Sequence, residues 1–127
     1  MEEPNRSLIS AFWASYATGN LSALRDDVLA ADAVWHMPGR HPLSGTYRGA
    51  EAICGFLREL GTHDFRVEVL FAGADDRHVV ELHHCASGDG ELAMTWVLVF
   101  RIEHGRIAGI RHYPADAHAA DTYFRNH

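Results

Sequence analysis

The chain has 127 residues, 47% of them apolar, with 17 acidic against 11 basic side chains and a formal charge of −6 at neutral pH. That is the length of one domain with enough apolar surface for one core, so a single domain over residues 1–127 is expected. All 11 basic residues are arginine, which excludes Schiff-base enzymes, pyridoxal-phosphate enzymes and phosphate loops built on lysine.

Other classes fall on charge and patterning. The acidic balance, without a basic cluster, offers nothing to displace the counterions of a nucleic acid. The longest apolar run, Leu92 to Phe100, is interrupted by Thr95 and is too short to cross a bilayer. Met1 to Ser7 lacks the basic-then-apolar order of a secretory leader, so a soluble, cytoplasmic protein is expected. Cys54 and Cys85 have neither metal-binding nor redox spacing and read as free thiols in a reducing compartment. Ten histidines is several times the ordinary share for this length. Histidine titrates near physiological pH, so where these rings point decides the chemistry.

In chain order, Ile9, Phe12, Trp13 and Tyr16 recur at helical spacing, and the stripe stops at Gly19-Asn20. A short helix is expected from Ser22 to Leu29, and a short strand near Ala33 to Met37. A third helix from Ala50 to Leu60 carries Ile53, Phe56, Leu57 and Leu60 on its apolar side, opened by Gly49 and stopped by Gly61. After Gly61 the pattern becomes alternating. Phe65, Val67, Val69 and Phe71 form one such set; Met94, Trp96, Leu98, Phe100 and Ile102 form another, and Ile110 pairs with His112. Between them, Val80, Leu82 and His84 alternate with Val79, Glu81 and His83. Strand parity puts His84 with Val80 and Leu82 on the apolar side and sends His83 outward.

Helices followed by hairpin-linked strands indicate an α+β fold with a mostly antiparallel sheet. The long strand from Glu91 to Glu103 is expected to curve around the N-terminal helices, because sheets twist. Its other face, Thr95, Val97 and Val99, is too apolar for water, which predicts a homodimer through the outer sheet face.

Two segments carry a family resemblance: A-V-W-H-M-P-G-R-H-P-L-S-G-T-Y-R-G-A-E-A-I from Ala33 to Ile53, and F-R-I-E-H-G-R-I-A-G-I-R-H-Y from Phe100 to Tyr113. With the order of elements from Leu8 to Phe124, the chain resembles the SnoaL-like branch of the nuclear-transport-factor-2-like superfamily. The resemblance implies a cone-shaped barrel, a curved sheet wrapped around helices with an apolar pocket open at one end. It does not choose an activity, since the fold hosts isomerases, cyclases, dehydratases, epoxide hydrolases and binders without chemistry. Ketosteroid isomerases of this superfamily place a carboxylate base where this chain has His36. Their oxyanion-hole tyrosine and aspartate fall on Phe12 and Leu98, which cannot donate hydrogen bonds. A true ketosteroid isomerase is therefore not expected. SnoaL-like cyclases carry a late aspartate acid/base, matched here by Asp116 with an offset at Pro114-Ala115.

The candidate catalytic groups are His36, His112, Asp116 and Tyr16, with His36 or His112 as base. The expected pocket wall comprises Phe12, Trp13, Trp35, Phe56 and Leu82, with Met94, Trp96, Leu98 and Phe100 from the long strand and His84 as a polar member. Each polar candidate also has a structural reading: a loop hydrogen bond for His36, a helix cap for Asp116, packing for Tyr16, a satisfied core ring for His84. The inward histidines lie on separate elements without ligand spacing, so neither metal nor cofactor is expected. The reading is a cofactor-independent acid/base enzyme of isomerase, cyclase or dehydratase type acting on a small apolar oxygenated molecule. The alternative is a non-catalytic small-molecule-binding or dimerisation module of the same fold.

Overall fold

The computed structural model describes residues 4–127; Met1, Glu2 and Glu3, which open the segment read for a leader, lie outside the described residues. The helices are α1 (Pro4–Ala17), α2 (Leu21–Ala23), α3 (Ala50–Gly61) and α4 (Ala117–Asn126). The strands are β1 (Leu29–Met37), β2 (Gly45–Arg48), β3 (Arg66–Ala74), β4 (His78–Ala86), β5 (Ala93–Glu103) and β6 (Arg106–Pro114). They form one open sheet in the order β2–β1–β6–β5–β4–β3. Every neighbouring pair is antiparallel except β1–β6, which is parallel. This is the expected α+β cone, a curved sheet wrapped around the helices. No described helix is long and apolar enough to cross a membrane.

The core forms where α1 and α3 fill the concave face. Phe12 of α1 is fully buried, with ring centroids 5.8 Å from Phe100 on β5 and 5.9 Å from Trp35 on β1. Phe56 of α3 packs 5.3 Å from Trp35. Gly49 opens α3 with φ of +91°, a conformation that favours glycine.

Local differences from the sequence reading have local causes. The second helix is shorter than expected: α2 passes into one π-helical turn over Leu24–Val28, and Leu29 is already strand. That wide turn buries both Leu24 and Val28, and Arg106 of β6 anchors it by donating to the Asp26 carbonyl at 2.7 Å. β2 is too short to show an alternation, and α4 carries only Ala120, Tyr123 and Phe124 as buried residues, so neither announces itself in sequence. On β3, a register shift between Val69 and Phe71 breaks the alternation and leaves Phe71 63% exposed.

The parity of β4 is the reverse of the expectation. Val79, Glu81 and His83 face the core, while Val80, Leu82 and His84 face outward and are half-buried. The β4–β5 register is the cause. It pairs His83 with Trp96 and Glu81 with Leu98, and directly opposed residues share a face. Since Trp96 and Leu98 point inward, Glu81 and His83 must as well.

α4 crosses the end of the cone and is tied to the loop after β1. The Arg40 N–H donates to Asp121 Oδ1 at 2.8 Å and Arg125 Nε donates to the Arg40 carbonyl at 2.7 Å. Gly39 makes this approach possible: its φ is +117°, and a Cβ there would lie 2.4 Å from Asp121 Oδ1. Gly39→Ala should therefore destabilise the protein by roughly 1–3 kcal/mol. Chemical denaturation checks this, with amide exchange showing the loss concentrated in α4.

Candidate functional site

Between the concave face and the helices lies a cavity of about 70 Å³, room for a handful of water molecules. Its apolar wall includes Trp13 of α1, Met37 of β1, Trp96 and Leu98 of β5, and Phe124 of α4. Tyr16, Leu60, Phe65 and Val67 also border it, and these are half-buried or exposed, so the open side lies between α1, α3 and the β3 edge.

Two polar features enter this apolar space. The first is a buried chain of hydrogen bonds: Glu81 Oε1 accepts from Trp13 Nε1 at 2.8 Å and lies 2.9 Å from His83 Nε2. His83 is 1% exposed and lines the cavity. A carboxylate accepts, so this pairing places the proton on Nε2 and leaves Nδ1 as the ring's acceptor. The second is His112 on β6, ringed by Trp35, Phe56 and Trp96 with centroids at 5.2, 6.5 and 5.7 Å. Its Nε2 is buried and has no hydrogen-bond partner among the described residues. Burial, reinforced by repulsion from His83 and His36, pushes the His112 pKa down to about 3. The ring is therefore neutral at physiological pH.

Tyr16 borders the cavity, and burial pushes its hydroxyl pKa up, so it stays a proton donor. Cys85, also on the wall, has its thiol pushed up to about 11 by burial and is no nucleophile near neutrality. Neither cysteine is bonded to another.

The structure brings together only part of the expected constellation. Tyr16, His112, Trp13, Trp96 and Leu98 line the cavity as read from sequence. Phe12, Trp35, Phe56, Met94 and Phe100 are buried behind the wall as core. Leu82 and His84 point outward with the reversed parity of β4. His36 alternates with buried Trp35 and Met37, so it lies on the convex face, where Nδ1 is 3.1 Å from Thr46 Oγ1. Asp116 caps α4, its Oδ1 accepting from the Ala119 N–H at 3.0 Å, and it is exposed. Sequence reasoning missed Glu81 and His83. The signal that finds them is the Ser87–Leu92 turn, which sets the hairpin register and so carries the inward parity of Trp96 back onto β4.

One described cluster has ligand types within reach of one cation: Asp89, Glu91 and His127, all exposed, none of which lines the cavity. His127 is already engaged there, with Nε2 2.6 Å from Glu91 Oε2 and Nδ1 2.7 Å from the Tyr123 carbonyl.

The burial of His112 makes stability depend on pH with a definite sign. In the unfolded chain a histidine takes up a proton below its ordinary pKa, near 6.5; folded His112 does not until about 3. Its contribution is thus fully present above the unfolded value and declines as pH falls through that window, by up to about 1.4 kcal/mol per pH unit. His112→Leu should flatten the acid limb of stability against pH, as read by urea melts across that range.

The family model described as a SnoaL-like domain matches residues 9–110. The uncharacterised Rv0034 of Mycobacterium tuberculosis is 23% identical over 129 residues, covering 97% of this chain and 98% of its own. Bal32a, from a soil-derived mobile gene cassette, superposes with a TM-score of 0.86 at 25% identity, over 96% of this chain and 97% of its own. TerC, whose crystal structure was obtained with polyporic acid, superposes with a TM-score of 0.81 at 17% identity, over 98% of this chain and all (100%) of its own. A match across most of the chain, on the fold just described, makes this protein a member of the SnoaL-like domain family.

Proposed function

We propose that this protein is a cofactor-independent acid/base enzyme, of isomerase, cyclase or dehydratase type, acting on a small apolar oxygenated molecule. The observation that carries the reading is one apolar cavity bordered by two differently prepared histidines: His83 paired with buried Glu81, and His112 with its Nε2 unpartnered. Environments that separate two titratable groups assign base and donor roles. His83 is the base: Glu81 holds one tautomer and stabilises the imidazolium that forms when Nδ1 takes a proton from carbon. His112, neutral because it is buried, donates or accepts a hydrogen bond at the substrate oxygen. Tyr16 returns a proton from the open side.

Support also comes from the wall, which binds apolar surface and leaves only these polar groups to orient a ligand. The cavity is smaller than the ~300 Å³ of ordinary ligand pockets. A substrate larger than a few heavy atoms must part Tyr16, Phe65 and Val67 on the open side. The outer face adds a working state. Leu82, Val97 and Val99 are only half-buried there and Tyr113 is 52% exposed, which supports pairing of two copies through that face.

The second reading, a binder without chemistry, is favoured by one observation: Leu98 on the wall and Phe12 in the core behind it offer no donor to a developing oxyanion. Exchange of substrate carbon-bound protons in heavy water separates the two without knowing the product. A panel of small apolar ketones should show enzyme-dependent exchange, falling about 10²- to 10⁴-fold in His83→Ala and less in Glu81→Gln, with binding retained. Binding without exchange in the unaltered protein, or full exchange in His83→Ala, overturns the acid/base reading. Light scattering should give twice the 14.1 kDa chain mass, and a monomer across the micromolar range removes the paired state.

A further inference from the structure

The inner face of β3 stays open to solvent although it belongs to the concave side of the sheet. Val67 and Val69 lie opposite Cys85 and His83 of β4, and directly opposed residues share a face, so both valines point inward. Yet Val67 is 42% and Val69 47% exposed. The strand reverses its parity only afterwards, where the register shift between Val69 and Phe71 sets Phe71 opposite outward-facing Leu82. β3 is also the last strand of the sheet, paired with β4 alone.

This open strip is continuous with the cavity. Val67 belongs to both, since it borders the cavity beside Phe65 and Tyr16. Val69 is the next inward residue and meets the cavity's His83 across the ladder. An apolar surface therefore runs from the cavity mouth along β3. Its far end is fixed: Asn5 Nδ2 donates to the Asp75 carbonyl at 3.2 Å and Arg6 Nη2 to the Ala72 carbonyl at 3.0 Å, which fastens the start of α1 to β3 and the turn after it. Inside, about 70 Å³ holds only a few heavy atoms. Outside, two inward valines are left wet. One ligand that fills the first and covers the second accounts for both. Its charge is restricted as well. No arginine among the described residues borders the cavity, burial keeps His112 neutral, and Glu81 already pairs with His83. An anionic head would enter without a free cation and beside a buried carboxylate, which is costly.

We propose that the ligand is an uncharged ketone whose carbonyl end enters the cavity while an apolar tail lies along Val67 and Val69, with Val69 setting the preference for that tail. This names the substrate class of the acid/base site, and for the choice of a carbonyl it rests on that reading.

The test is equilibrium binding to the full chain at neutral pH, read by fluorescence of the tryptophans, with straight-chain methyl ketones from butanone to decanone and the carboxylates of matching length. Affinity should rise about three- to fourfold per added methylene along the ketone series. Each carboxylate should bind about tenfold more weakly, or worse, than the ketone of its length. Val69→Ser should weaken the longest ketones about three- to tenfold and leave butanone unchanged. If that variant does not fold, Val69→Thr, which keeps the shape of valine, reads the same loss. An affinity that stops rising once the cavity is full, an equal loss for short and long ketones in the variant, or carboxylates that bind as well as ketones each overturn the proposal. A second copy lying over the strip also removes the gain with length and overturns it. Proton exchange on butanone in heavy water is read beside the binding. Exchange without a length gradient overturns this proposal and leaves the acid/base reading standing; a length gradient without exchange supports the ligand class and overturns the acid/base reading.

Discussion

The fully buried ring of Phe12 is the contact on which the rest of the molecule depends. It sits against Phe100, Trp35 and Trp13 at once, so it locks α1 to both β5 and β1 and sets how far the sheet can close. Dispersion and burial in such a cluster are non-directional and large, which suits a contact that holds a curved sheet against a helix. The histidines that border the cavity, His83 and His112, both come from the sheet side.

On the sheet side, burying polar groups is tolerable only when they are paired. A carboxylate at the depth of Glu81 costs several kcal/mol unless its oxygens accept hydrogen bonds, and here Trp13 and His83 both meet Oε1. That makes Glu81 a structural tie between α1 and β4 and, by the same bonds, the group that orients His83. His112 has no such tie: aromatic rings surround it and its Nε2 is left open. An unsatisfied buried nitrogen beside a cavity is a standing cost of about 1–3 kcal/mol, and a ligand oxygen there would relieve it.

The two faces of the sheet divide the histidines and arginines of β1 and β6 between different surroundings. Alternation along β1 sends Trp35 and Met37 inward and His36 outward; alternation along β6 sends His112 inward and Arg111 outward. Since His36 and Arg111 are also register partners, the outward set meets across strands. At the end of the cone, Asp116 is occupied as the cap of α4, and Phe124 from that helix completes the cavity wall.

Much of this was legible in the sequence because it rests on local signals. The apolar stripe of α1, the amphipathic α3 between Gly49 and Gly61, and the alternation of Met94, Trp96, Leu98 and Phe100 are properties of neighbouring residues. So is the inward parity of His112 with Ile110. The segments Ala33 to Ile53 and Phe100 to Tyr113 carried the family. What the sequence reading placed on the wrong face was the parity of β4, where Val80 and Leu82 make a more apolar set than Val79 with the polar Glu81 and His83. A carboxylate reads as solvent-facing until its partners are known, and those partners, Trp13 from α1 and the register with Trp96, are distant in the chain. Only the tertiary structure chose the side on which Glu81 and His83 lie. A buried charge is decided by what pairs with it across the fold, whereas an apolar stripe is decided by spacing alone.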